Sequence, residues 1–478
     1  MTPGTINYFY LVAAAMVLFY AIKQNNIKQW ILMAASIIFL SFFGVASVVV
    51  CISLSVLNYY FAKNAQRTQF SFLKLVVINS INIGVLFLLR FIVEIDINPL
   101  LFPVKLGITQ KSFFALGIGF YSLQNIAFQI DIYKKRYKPD ISLLAYTLGN
   151  VFFARLASGP IHNINSFQKQ LVNLPIKLTE ENITVGIQRI LLGSIKKFVV
   201  AERLAVDVNQ YFDHPFDILS SCDVLFACIF YTVELYFDFS GYIDIAVGSA
   251  KLFGIQLSEN FNMPLRAKSI SEWWRRWHIT LINWFTQYIY YPIAYRFKSK
   301  RNLAIVFSIG GTFLVSAVWH GLGLTYLFWG LIHVFYLIVE AFSKKNLAAI
   351  EQKLKPRLYA ALFIPITILL VSFSNIFFRA SSMTDAFGII HKLFDWNHFW
   401  PPLSFKDWLI HGEGGSLKDL FNFRLAAFVA ILYLIYEEKC LKIVNDVKYS
   451  IFRIVFMLLI LIILGVFDSA GNFIYMEF

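Results

Sequence analysis

Long apolar runs separated by short polar or basic breaks organise the chain, among them Trp30 to Ala62, Phe113 to Ile130 and Arg301 to Trp319. A helix that crosses about 30 Å of hydrocarbon needs roughly 20 mainly apolar residues, and these runs reach that length. A transmembrane β-barrel would show short alternating segments instead, and no such alternation is present. The pattern predicts an all-α polytopic membrane protein with about 11–13 membrane segments, some of them re-entrant. Trp30 to Ala62 is too long for one crossing and predicts a helical hairpin. Asn7 to Ile22 lacks a preceding basic region and a following small-residue cleavage site, so it reads as the first membrane helix and not as a signal peptide.

Composition agrees. Of 478 residues, 58% are hydrophobic and 15% charged, with a mean hydropathy of +0.64. The formal charge of +14 raises the question of nucleic acid, but the basic residues lie in short loops between apolar runs. There they read as positive-inside signals and as contacts to anionic membrane lipid. The basic loops Lys23–Lys28, Lys63–Lys74, Lys134–Lys138, Arg296–Arg301, Lys344–Arg357 and Lys439–Lys448 mark the cytoplasmic side, which puts the N-terminus outside. The loop Phe91–Lys111, with Glu94 and Asp96, then falls outside too. So does Ser381–Asn422, with Trp396, Trp400 and the paired prolines 401 and 402. Cys51, Cys222, Cys228 and Cys440 make no metal or redox spacing and read as small buried hydrophobes.

The middle of the chain does not read as simple spans. Gly, Pro and charges interrupt Ala154–Arg203, and acidic, basic and aromatic residues mix through Glu234–Arg296. Polar groups at membrane depth survive only inside protein or along a wet cavity, so this is where function is expected. Three blocks stand out: LASGPIHN (156–163), ELYFDFSGYIDIAVGSAKLFGIQLSENFNMPL (234–265) running into SEWWRRWHITL (271–281), and VWHGLGLTYLFWGLIHVFY (318–336). If the stretch after Glu272 is helical, Trp274, His278, Leu281 and Phe285 share one face. Glu272 can pair with Arg275 or Arg276 along that helix. The plainer reading makes it an interfacial helix with tryptophans and arginines at the headgroups.

From Asn302 the chain runs apolar to Val318, so at 1.5 Å per residue His320 lies roughly 25 Å from its basic loop, deep in the membrane. Gly321 and Gly323 would allow a sharp turn or a close approach there. A buried imidazole is costly to charge, and a neutral one can take a proton from a hydroxyl nucleophile; the plainer alternative is a hydrogen bond between helices. His333, one helix further on, fits packing or support of a neighbouring group equally. Glu234, Asp238, Asp244 and Glu259 imply either ion pairing, with Arg266, Arg275 or Arg155 as partners, or a proton relay. No G-x-S-x-G elbow, P-loop or H-E-x-x-H helix occurs, so direct transfer with histidine as base fits better than a serine nucleophile.

At these blocks the sequence resembles the membrane-bound O-acyltransferase family, and within it the bacterial branch that includes the membrane component of alginate O-acetylation. The residues that carry the resemblance are ASGPI (157–161), YFDFSGYIDIAVGSAKLFGI (236–255), ENFNMPL (259–265), SEWWRRWHITL (271–281), VWHG (318–321), LFWGLIH (327–333) and FFRA (377–380). It implies one integral-membrane domain with its catalytic core over 110–390, preceded by N-terminal helices (1–109) and followed by an extracytoplasmic loop and C-terminal helices (391–478). It also implies helices around a central tunnel, an acyl thioester donor (acetyl-CoA or a carrier protein) on the cytoplasmic side, and catalytic roles for His320 and His278. Trp274, Trp277, Asn283, Arg275, Arg276, Trp319, His333, Asp238 and Ser240 are the candidates for lining the tunnel or binding the donor.

The expected activity is transfer of an acyl group, acetyl foremost, to a hydroxyl of an exported or cell-surface polysaccharide, directly or through an extracytoplasmic acetyltransferase partner. The expected place is the bacterial cytoplasmic membrane, with no tightly bound cofactor or metal. D-alanyl transfer to teichoic acid and peptidoglycan O-acetylation are alternatives within the same chemistry. A proton-coupled transporter is the non-enzyme alternative, and it would call for paired inverted repeats, of which the sequence carries no sign.

Overall fold

The computed structural model describes residues 3–67, 70–95, 117–137, 140–156, 159–161, 164–213, 220–396 and 417–467. These residues form helices and their connections, with no strand among them. In order the helices are α1 (Ile6–Ala21), α2 (Asn25–Ser41), α3 (Val45–Arg67), α4 (Phe72–Ile95), α5 (Ile118–Tyr133), α6 (Leu143–Val151), α7 (Ile164–Val172) and α8 (Glu180–Ile195). A π-helical segment, Lys196–Ala201, leads into α9 (Glu202–Asp213) and α10 (Ser221–Leu252). A 3₁₀ turn, Pro264–Arg266, precedes α11 (Ile270–Arg276) and α12 (Ile279–Phe285), and a second π segment, Thr286–Tyr290, precedes α13 (Tyr291–Arg296). The remainder are α14 (Arg301–His320), α15 (Leu324–Lys353), α16 (Pro356–Arg379), α17 (Met383–Leu393), α18 (Leu417–Val444) and α19 (Ser450–Leu464).

Among the described residues, five helical stretches are long and apolar enough to cross a membrane: Val45–Ala65, Phe72–Leu89, Arg301–His320, Leu324–Lys353 and Pro356–Arg379. Ile6–Ala21 and Ser450–Leu464 are apolar but shorter. Much of the remainder of the segment count read from sequence consists of shorter or more polar helices packed inside the protein. Side chains such as Phe307, Leu314, Phe335, Leu362 and Phe452 point outward, as suits a surface bathed in lipid. The expected hairpin over Trp30–Ala62 is present: α2 and α3 meet at Gly44, whose φ of 101° closes the reversal without a side-chain penalty. Of the expected outer loops, residues 96–111 and 397–416 lie outside the described residues.

The centre of the fold is the crossing of α8 and α10. Gly186 and Gly193 on α8 face Gly248 and Gly241 on α10. A Cβ on Gly241 would stand 2.8 Å from the Gly193 carbonyl oxygen, and one on Gly248 2.5 Å from that of Gly186. The two backbones therefore touch, the packing that small residues permit between helices in lipid. Between these glycine contacts and just beyond them lie charges. Arg189 Nη2 is 2.6 Å from Asp244 Oδ1, and Lys196 Nζ 2.7 Å from Asp244 Oδ2. Lys197 Nζ is 2.6 Å from Asp238 Oδ1 and 2.7 Å from Glu202 Oε1.

This corrects the partners expected from sequence. Arg266 instead donates to the carbonyls of Leu434 and Ile435 on α18, and Arg155 donates to Gln124 at 2.6 Å. Arg189 also reaches Glu259, at 2.9 Å. The physical reason is the π segment: successive residues of an α-helix point about 100° apart, and the wider turn lets both Lys196 and Lys197 reach α10. Removing one member of a buried pair costs about 3–5 kcal/mol, because the other charge is stranded.

The glycine crossing makes a signed prediction. Gly193→Ala forces a methyl into the Gly241 carbonyl and the Ile245 side chain, and lowers stability in detergent by about 1–3 kcal/mol. Gly84→Ala and Gly310→Ala, where a Cβ meets nothing within 4 Å, gain helix propensity and leave the thermal midpoint equal or higher. Equal midpoints for all three variants would refute the crossing.

Candidate active site

The tryptophan-rich stretch is not one helix. α11 stops at Arg276, Trp277 is extended (φ −104°, ψ 130°), His278 is left-handed (φ 44°, ψ 50°), and α12 starts at Ile279. The shared face expected for Trp274, His278, Leu281 and Phe285 is thus corrected to two faces either side of a break. A left-handed residue other than glycine costs roughly 1–2 kcal/mol, so something must hold it. The brace is Asn260. Its carbonyl oxygen accepts from Ile279 N at 2.9 Å, and its Oδ1 accepts from Thr280 N at 3.0 Å and Thr280 Oγ1 at 2.8 Å. One residue of another segment thereby caps the first N–H groups of α12. Thr280 Oγ1 in turn accepts from Ile161 N at 3.0 Å, which ties in the G-P-I loop.

His278 is 1% exposed. Its ring meets Phe239 of α10 edge-on at 4.9 Å and stacks against Phe120 of α5 at 5.9 Å. Its Nδ1 lies 3.4 Å from Asn260 Oδ1, and an amide oxygen accepts only, so Nδ1 carries the hydrogen and Nε2 is the basic nitrogen. Trp277 packs on Trp273 and Phe261. Trp274 turns the other way, toward Phe313, Trp329 and His333.

Arg276 pairs with Glu272 at 2.8 Å and donates to the Asn262 carbonyl at 3.0 Å. It holds the N-F-N-M-P-L turn in place. Partial burial works against the charged Glu272 carboxylate, but the Lys268 N–H and Arg276 outweigh it and hold its pKa below the usual range. Arg275 is exposed.

His320 is the last residue of α14, a full membrane length from Arg301. Three aromatic rings box it: Trp319 at 4.8 Å, Trp329 at 5.2 Å and Phe378 at 5.2 Å. The Gly321 backbone is extended (φ 179°); glycine is needed because a Cβ there would collide with the Tyr326 ring. Trp319 donates to the Gly119 carbonyl at 3.3 Å and meets Phe120 at 5.3 Å. Phe120 thus touches both the His278 ring and the neighbour of His320.

His333 is committed. Trp274 Nε1 donates to its Nδ1 at 3.3 Å, and indole N–H is a donor only, so Nδ1 is the acceptor and Nε2 bears the proton. Ser374 Oγ, 3.0 Å from Nε2, gives its own hydrogen to the Val371 carbonyl at 2.7 Å and therefore accepts from His333. Both ring nitrogens are used.

Four of the tunnel candidates line a cavity, and they divide between two. Trp274, Trp277 and His333 line one of about 20 Å³ beside Asn375 and Phe378. Asn283 lines another of about 260 Å³, with Asp131, Ile161, Ser258, Glu259, Thr280 and Tyr288. Asp238 belongs to the charge layer through Lys197, and Ser240 is buried on the same helix. It is Phe239 between them that faces His278. Among the described residues no cluster of His, Cys, Asp and Glu is built to hold a metal, and the four cysteines form no disulfide. Sequence reasoning passed over Asn260, Phe120, Ser374 and Phe378 as site residues. Asn260 and Phe378 sat inside quoted blocks, but only the fold gives them partners.

An all-helical membrane protein with buried histidines at a helix break and at a helix end is the class these observations define. The model of the MBOAT, membrane-bound O-acyltransferase family, matches residues 134–383, over half of the chain, and the chain belongs to that family. It is 31% identical over 285 residues to a probable alginate O-acetylase of Pseudomonas aeruginosa, covering 58% of this chain and 51% of the relative. The chain thus spans about half the length of that relative. It is 30% identical over 423 residues to a peptidoglycan O-acetyltransferase of Helicobacter pylori, covering 81% of this chain and 76% of the relative. It is 28% identical over 239 residues to a teichoic acid D-alanyltransferase of Bacillus subtilis, covering 48% and 60%.

The assignment of His333 is testable by stability. Ser374→Ala removes the acceptor of Nε2–H and should cost about 1–3 kcal/mol, read as a lower thermal midpoint in detergent. A midpoint equal to wild type would show that the proton is elsewhere.

Proposed function

We propose that the chain is an O-acyltransferase of the bacterial cytoplasmic membrane that moves an acyl group, acetyl foremost, from a cytoplasmic thioester to a hydroxyl of a cell-envelope polysaccharide. The observation that carries the reading is the family match over 134–383, a region that contains both His320 and His278. The acceptor hydroxyl attacks the thioester carbonyl carbon; the C–O bond forms and the C–S bond breaks. The hydroxyl proton passes to a histidine and then to the departing thiolate. His320 is the base, boxed by rings that exclude water, and His278 serves the donor end. A thioester supplies the driving force, so acetyl-CoA or an acylated carrier is a co-substrate and no bound cofactor takes part.

Trp274, Trp277 and Asn283 line the acyl path, with Trp319 at its His320 end. Arg275, exposed at the end of α11, meets an anionic donor or lipid phosphate. Asp238, Ser240, Arg276 and His333 support the framework. The N-terminus lies outside, by the sidedness of the basic loops. An extracytoplasmic acetyltransferase partner completes transfer wherever the polymer is out of the membrane's reach. The longer coverage of the peptidoglycan O-acetyltransferase favours peptidoglycan as acceptor. The D-alanyl reading draws on the Bacillus relative, and its product differs in mass.

The test compares wild type with His320→Ala in the native host at equal membrane level by immunoblot. Base-labile acyl groups on peptidoglycan and surface polysaccharide are measured by NMR and mass spectrometry. Loss of a positioned base lowers the rate about 10²–10⁴-fold, so one polymer should lose its ester. Retention of every ester would sink the proposal, and loss of D-alanine instead of acetate would select the second reading.

A further inference from the structure

Asn260 is 0% exposed, and chemistry fixes which end of its carboxamide points where. The Thr280 backbone N–H can only donate, so the atom 3.0 Å from it is the oxygen. The Thr280 hydroxyl accepts from Ile161 N, so its hydrogen is available for the same Oδ1 at 2.8 Å. His278 Nδ1 points at that oxygen as well. The Oδ1 end is therefore saturated, while Nδ2, with two N–H donors, has no hydrogen-bond partner among the described residues. Buried polar groups are paired in the large majority of cases, and this exception sits beside the left-handed histidine. The larger cavity runs alongside: Ser258 and Glu259, which precede Asn260, and Ile279 and Thr280, which follow His278, line it together with Ile161, so Asn260 and His278 lie one residue behind its wall.

We propose that the Asn260 carboxamide N–H donates to the carbonyl oxygen of the acyl thioester and stabilises the negative charge that builds there during transfer. This rests on the acyltransfer reading above. As the acceptor hydroxyl oxygen bonds to the carbonyl carbon, the C=O π pair moves onto the oxygen facing Nδ2. Collapse restores the C=O bond and expels the thiolate, which receives the hydroxyl proton through the histidine. The products are an ester and a thiol, and nothing is oxidised. The Oδ1 end orders the α12 start while the Nδ2 end serves the reaction, so the two ends of one side chain have separable roles.

The experiment uses membrane vesicles of the native host, opened to the cytoplasmic face, with radiolabelled acetyl-CoA as donor. Label in base-labile esters is measured against folded protein recovered as a monodisperse peak. Asn260→Asp keeps the shape and the oxygen that Thr280 needs and replaces the amino group with an acceptor; Asn260→Ala removes both. Both variants should lose about 10²–10³-fold in kcat, the effect of deleting one oxyanion donor, with the KM for acetyl-CoA unchanged. The Asp variant should retain the wild-type thermal midpoint and recover turnover as pH falls, because a neutral carboxylic acid regains one O–H donor. The Ala variant should also lose stability. Wild-type kcat per folded molecule in either variant, or a loss confined to KM, would overturn the proposal. If deletion of the whole chain leaves label incorporation unchanged, the acyltransfer reading itself has failed, which is a different result.

Discussion

Contact between the backbones of α8 and α10 is the constraint on which the rest depends. Glycine on both sides brings the helices so close that Arg189, Lys196 and Lys197 reach Asp244 and Asp238 within 2.6–2.7 Å. In a bilayer, apolar side chains gain nothing by leaving lipid for protein, so van der Waals fit and polar pairing carry helix association. Here the two are interleaved along one crossing, and each needs the other. Larger residues would part the charges, and unpaired charges could not stay buried. Because α10 is pinned along its length, Phe239 is fixed in position, and with it the ring that His278 leans on.

From that helix the site is assembled by rings and by one amide. Phe239 and Phe120 hold the His278 ring, Phe120 continues to Trp319, and Trp319, Trp329 and Phe378 enclose His320. Aromatic rings suit this task. They exclude water over a large area and have few torsions to freeze. The amide of Asn260 does what rings cannot, since the start of α12 offers N–H groups that only an oxygen can satisfy.

Much of this was legible in the sequence, for reasons tied to period and length. Apolar runs give the helices, since crossing a bilayer demands them. A helix from Asn302 with no break until Gly321 fixes the depth of His320 by arithmetic, and α14 is that helix. The break at Trp277–His278 was not legible. Nothing in W-W-R-R-W-H-I-T-L is a strong helix breaker, and the break is held by a different segment: Asn262 N donates to the Arg276 carbonyl at the end of α11, and Asn260 caps the start of α12. The partners of Asp238 and Asp244 were hidden for a related reason. Lys196 and Lys197 read like any basic pair, and only a π segment lets both reach α10. Local pattern reports local geometry, and these are contacts between distant parts of the chain.

Three histidines buried among the described residues, His278, His320 and His333, make the same point. All are nearly inaccessible and all lie in the family-matched region, so burial does not separate them; hydrogen-bond stoichiometry sets His333 apart. Trp274, an obligate donor, and Ser374, whose hydrogen goes to Val371, together spend both nitrogens of His333. A proton could enter or leave that ring only by breaking a closed set of bonds. His278 spends its Nδ1 hydrogen on Asn260, which leaves Nε2 the basic nitrogen, and His320 is enclosed by the faces and edges of rings. An imidazole that is to handle a proton needs a basic nitrogen that the fold has not already assigned. By that criterion His333 belongs to the framework, its two nitrogens closed by Trp274 and Ser374.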